Sequence, residues 1–93
     1  MIMSSKQELP ADWVVESEQT TYDSMMDREY TTVIYRQADT GMTVRINEVL
    51  EARANAWGYY VHHSGQNGDL GIDEDLDAAK QTALTFMNKS TTA

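Results

Sequence analysis

The sequence predicts an α+β fold: an antiparallel sheet of three to four strands, in β-β-β-β-α order, with one C-terminal helix packed on one face. Three observations lead there. Between positions 13 and 63, short segments rich in aromatic and β-branched residues alternate with turn residues. One of them, Asn55 to His63, holds the densest aromatic content of the chain. Near the C-terminus, a single stretch repeats its apolar residues at helical spacing behind a run of acids.

Residues 1–9 are polar and unpatterned and are expected to form a flexible tail, leaving 10–88 as one domain and 89–93 as a frayed end. Pro10 favours an extended residue before it. Trp13 to Glu18 reads as the first strand, with Trp13, Val15 and Ser17 facing in and Val14, Glu16 and Glu18 facing out. Residues 19–28 are polar and read as a loop. Its Met25-Met26 pair is expected to pack over the edge of the core, since methionine adapts to irregular gaps. Glu29 to Gln37 is the clearest strand. Ala38-Asp39-Thr40-Gly41 then forms a turn, where Asp bonds nearby backbone and Gly accepts a positive φ. Thr43 to Val49 is the return strand; three- and four-residue loops are both compatible with it, and the two give different registers.

Residues 46–57 carry two signals. Ile46, Val49, Leu50, Ala54 and Trp57 would fall on one face of a helix. The alternation of Thr43 to Ile46, and the exit Asn55-Ala56-Trp57-Gly58, favour strand, turn, strand, which is the reading adopted. The aromatic segment is then the central strand, with Trp57, Tyr59 and Val61 toward the helix and Gly58, Tyr60 and His62 away from it. Ser64 to Gly71 is Gly-rich and polar, a flexible connection. Asp73 is placed as helix N-cap, with Glu74, Asp75 and Asp77 in the first turn. Leu76, Ala79, Ala83 and Phe86 form the inner stripe of a helix ending near Met87, and Asn88 onward frays.

Ninety-three residues allow one modest core and little room for a deep cleft. There is no cysteine, which excludes disulfides and thiolate metal sites. The opening residues lack the apolar core of a signal peptide, and no apolar run approaches the ~20 residues needed to span a bilayer. A soluble cytoplasmic protein without a membrane partner is the expectation. Fifteen acidic residues against seven Lys and Arg give a formal charge of −8. That charge repels duplex nucleic acid at low salt, and the repulsion fades in molar salt, where the Debye length falls to about 3 Å.

Candidate chemistry is sparse. His62 and His63 would point to opposite faces of a strand and so cannot readily share one ion. Asn67 to Asp75 is faintly like a calcium loop, but Ile72 and Ala78 stand where such a loop needs Gly and Glu. Glu16 and Glu18, placed on one wet face, lack the burial that would tune an acid/base pair. No nucleophile motif or phosphate-binding loop is present. No catalytic, cofactor-binding or metal residue is therefore assigned, and the expectation is a non-enzymatic domain.

What remains is the outward sheet face, with Arg36, Arg45, Tyr60 and His62 as candidate contact residues and Asn47 beside them. Arginine and aromatic side chains mark protein-contact hot spots. The expected partner is therefore another protein, or a second copy held through the sheet edge or the Tyr60 face. The alternative is a nucleic-acid-binding module adapted to high salt, since an aromatic sheet face can also stack unpaired bases.

The segment AWGYYVHH leading into DLDAAKQTALTFM resembles the β-β-β-α layout of double-stranded-RNA-binding and AP2-like domains, in topology only. The helix carries Lys80 but no basic patch, so that resemblance implies no RNA-binding activity. In charge, and in using Arg28, Arg36, Arg45 and Arg53 against only Lys6, Lys80 and Lys89, the chain is similar to small acidic haloarchaeal proteins of uncharacterised function. That likeness implies solubility at high salt and no catalytic residue.

Overall fold

Five strands pair in the order in which they occur, each antiparallel to its neighbours, and a helix closes over one face. The computed structural model describes residues 9–51 and 56–90. The strands are β1 (Trp13–Asp23), β2 (Arg28–Gln37), β3 (Thr43–Glu51), β4 (Ala56–His63) and β5 (Asp69–Asp73), followed by α1 (Leu76–Lys89). The α+β class, antiparallel sheet and C-terminal helix are as expected; the sheet has one strand more.

The extra strand lies in the stretch read as a flexible connection. A tight turn through Asn67 and Gly68 sends the chain back along β4, with the His63 N–H donating to the Gly68 carbonyl at 2.8 Å. Asp73 thus ends β5 and does not cap the helix. Asp75 does so, accepting from the Ala78 N–H at 2.8 Å. The helix also runs past Met87: Asn88 and Lys89 belong to it, and the Ser90 N–H donates to the Phe86 and Met87 carbonyls.

The first hairpin is longer than its composition suggests. Residues 19–23 continue β1, because Thr20, Thr21 and Tyr22 pair with Thr31, Tyr30 and Glu29, and the Thr20 and Thr31 hydroxyls lie 3.2 Å apart. Met25 and Met26 sit at the tip, 93% and 49% exposed, and do not pack over the core. The Asp23 carboxylate accepts both their N–H groups, which fixes the turn.

A bulge between Val15 and Ser17 divides β1. It turns Ser17 to the side of its partner Ile34, away from the core, whereas Val15 stays on the helix side opposite the buried Tyr35, half exposed on the edge strand. It also separates Glu16 from Glu18. Glu16 pairs with Arg36, whereas Glu18 pairs with Lys80 of the helix at 3.4 Å. The two carboxylates therefore do not share a face.

β3 continues to Glu51 and pairs with β4 from Val44↔His63 to Glu51↔Ala56. The helix-like spacing of Ile46 to Trp57 yields to this ladder, in which the aromatic strand supplies the partners. The turn placed between these strands falls on 52–55, outside the described residues. β4 is an interior strand, but the middle of the sheet is β3.

The core lies between the sheet and α1. Trp13, Val33, Tyr35, Val44, Ile46 and Val61 meet Ala79, Ala83 and Met87, and the two alanines let the helix approach closely. Phe86 stacks on His63 at 4.3 Å between ring centres and stands edge-on to Trp13. Burial, helped by Glu18, pushes the Tyr35 phenol up to about 12. Gln37 is the buried polar member at 1% exposure. Its amide donates to Asp12 Oδ2 at 2.7 Å and to the Ser90 carbonyl at 2.8 Å, and accepts from the Thr40 hydroxyl at 2.6 Å. One side chain thereby ties the entry to β1, the β2–β3 turn and the end of the helix. Among the described residues, no helix is long and apolar enough to cross a membrane.

Candidate interface on the helix-free sheet face

Strand alternation puts every second residue of the sheet on the side away from α1. Arg45 of β3 stands opposite Ile34 on one side and His62 on the other. Tyr60 of β4 stands between Asn47 and Ile72, and Arg36 of β2 between Val14 and Thr43. The four residues expected to form a contact surface, Arg36, Arg45, Tyr60 and His62, are thus brought onto one face.

Their side chains are not equally available. The Tyr60 and His62 rings stack at 4.8 Å and 16°. The Asn47 amide nitrogen lies 3.2 Å from His62 Nε2. An amide nitrogen only donates, so this contact suits a neutral imidazole. Arg36 is engaged by Glu16, and that hydrogen bond holds the Glu16 carboxyl below the usual carboxylate range. Arg45 is exposed, and among the described residues no carboxylate stands within ion-pair distance of it.

Burial lowers the His62 pKa, Arg45 and His63 lower it further, and Asp69 pulls the other way. The folded state therefore resists protonation where the unfolded chain, titrating near pH 6.5, accepts it. The stability held above that pH is expected to decline as pH falls from about 6.5 toward the depressed folded value, then to level off. His62→Gln should flatten this segment of a urea-unfolding profile measured against pH. An unchanged slope would place the titration elsewhere.

Apolar residues complete the face. Val14 is 51% exposed and Ile72 46%, while Ile34 and Val49 are half-buried. Gly58 permits this arrangement, since a Cβ there would stand 2.8 Å from Ile72 Cγ2 and 3.2 Å from the Asp73 carbonyl. Ile72 lies across the glycine and takes the place its side chain would fill. Val14 was readable from strand alternation. Ile72 was hidden, because β5 was not recognised as a strand.

No protein-family model, curated protein or solved structure matches the chain.

A second cluster escaped the sequence entirely. The β2–β3 ladder stops at Thr32, and the next backbone N–H, that of Thr31, donates to Glu48 Oε1 at 3.1 Å. Arg28 pairs with the other oxygen of Glu48, whose side chain is only 8% exposed. The Arg28 guanidinium lies 3.9 Å from the centre of the Trp57 ring, and Tyr30 meets that ring edge-on at 5.3 Å. These groups satisfy one another and brace the first hairpin. Nothing local announces the cluster, because its members come from three strands.

Three of the acids after Asn67 are likewise engaged within the chain. Asp69 accepts the Gly71 N–H, Asp73 accepts the Thr82 hydroxyl, and Asp75 caps the helix. His62 and His63 diverge, one to each side of β4. Among the described residues, no three His, Asp or Glu converge on a metal position. A shallow groove of about 280 Å³ runs between β5 and the helix, lined by Leu70, Thr82, Thr85, Phe86 and Lys89. Its lining is mostly apolar, and Lys89 supplies its only charged group among the described residues.

Proposed function

We propose that the protein is a non-enzymatic interaction domain whose contact surface is the helix-free side of its sheet. One observation carries this reading. Among the described residues, one helix covers one face of five strands, and the other face carries the exposed Val14 and Ile72, the half-buried Ile34, Val49 and Tyr60, and two arginines. Apolar and aromatic side chains left partly open to solvent across an uncovered sheet face mark a place where another surface binds.

Binding of unpaired nucleic acid at high salt is the second reading, and the Tyr60–His62 stack beside Arg45 speaks for it. Against it, the two rings face each other, Asn47 occupies the His62 edge, and Arg36 is held by Glu16. Arg45 then carries most of the phosphate affinity, and one cation contributes little. Protein contact is the better supported of the two.

Site-specific photocrosslinking in the native cell separates them. A benzoylphenylalanine in place of Tyr60 should yield a protein adduct, and the same group in place of Gln81, exposed on the helix, should not. Adducts to RNA only would favour the second reading. No adduct, or equal yields from both positions, would overturn the assignment of this face.

A further inference from the structure

We infer that the occupant of this face is a second copy of the chain, packed sheet against sheet; the inference rests on the contact reading above. The chain carries a formal charge of −8, so two copies repel through most of their surfaces. Within the part of the sheet where all five strands overlap, Glu16 and Asp69 are offset by Arg36 and Arg45. The helix side is different: Glu18, Asp73, Glu74, Asp75 and Asp77 stand there against Lys80 and Lys89. A like-charged copy meets the least repulsion on the balanced face, and an interface between two identical surfaces must be complementary to itself.

The face is also large enough. Five strands at about 4.8 Å spacing and about eight residues at about 3.3 Å rise make a face of roughly 600 Å². Two such faces bury about 1,200 Å², at the lower end of what stable interfaces use. Facing sheets pack about 10 Å apart, a gap filled by side chains of the size of Val14, Ile34, Val49 and Ile72. Of the two long side chains on this face, Arg36 is drawn back onto Glu16 and the Gly41 carbonyl, and Arg45, exposed on the middle strand, is left to pair with Glu16 or Asp69 of the second copy.

Sedimentation equilibrium of the full chain, from about 10 µM to about 1 mM and in about 50 mM and about 2 M KCl, tests the proposal. A reversible monomer–dimer equilibrium is expected, its Kd falling on the order of tenfold at the higher salt as repulsion between the acidic outer surfaces is screened. Val14→Glu and Ile72→Glu should each raise Kd by about tenfold or more, because each places a carboxylate in the desolvated contact. Gln81→Glu adds the same charge on the helix and should change Kd by less than about twofold. Val14→Glu keeps the test valid if Ile72→Glu disturbs β5 beside Gly58. A monomer at every concentration and salt, or equal effects of all three variants, overturns the proposal. A monomer that still gives a Tyr60-position adduct with a different protein refutes self-association and leaves the contact reading standing. A monomer without adducts refutes both.

Discussion

Gln37→Glu is expected to destabilise the fold by about 3–5 kcal/mol at neutral pH, and acid should restore much of that loss. Gln37 is 1% exposed and donates from one amide nitrogen to the Asp12 carboxylate and the Ser90 carbonyl. A carboxylate in its place donates nothing, faces a second carboxylate at hydrogen-bond distance, and has no water to solvate it. Burial and Asp12 would both raise its pKa above the unfolded value of about 4.3. The folded state then holds more protons than the unfolded one between those two values. Stability relative to the wild type should be highest below about pH 4.3 and fall as pH rises toward the raised folded pKa. Urea unfolding of both proteins across pH measures the difference directly. A pH-independent loss would show that shape, and not charge, sets the cost at this position.

Gly68→Ala should be nearly as damaging, at about 3 kcal/mol or more. A Cβ on Gly68 would stand 2.2 Å from the His63 carbonyl oxygen and 3.4 Å from the Gly65 carbonyl. Both are backbone atoms, so no rotamer change relieves the clash. The His63 N–H to Gly68 carbonyl bond at 2.8 Å would have to open. β5 is an edge strand paired only with β4, and beyond that it is held by contacts with the helix such as the Thr82 hydroxyl on Asp73, so it should detach before the rest unfolds. Amide hydrogen exchange would then accelerate first in Asp69–Asp73, with Val33 and Ile46 still protected. A loss under about 1 kcal/mol would mean that the turn adopts another conformation at little cost.

Legibility of the fold in the sequence followed the length of each periodic signal. Glu29 to Gln37 and Ala56 to His63 alternate long enough to identify themselves, and the inner residues Val33, Tyr35 and Val61 are buried where alternation puts them. β5 has only Leu70 and Ile72 as strand-forming residues among Asp and Gly, too few to distinguish it from a loop. The second half of β1 is Thr- and Gln-rich, and its strand character comes from pairing with β2. The bulge at Val15–Ser17 reversed the faces of Ser17 and Glu18, a one-residue slip that no alternation rule foresees. The candidate face was legible where β2, β3 and β4 pair without irregularity, which is why Arg36, Arg45, Tyr60 and His62 came out together. Glu48 was not legible as a buried group, since its partners Arg28 and Thr31 depend on where the β2–β3 ladder stops.

Each strand lies beside the one that precedes it in the chain. Sheet formation can therefore advance by successive short closures, each with a small entropic penalty, in the manner of a zipper. The distant closure is left to the final segment, when Lys80 reaches Glu18 and the Ser90 carbonyl receives the Gln37 amide. On a growing chain the strands emerge first, and the latch that holds their outermost members down is made last.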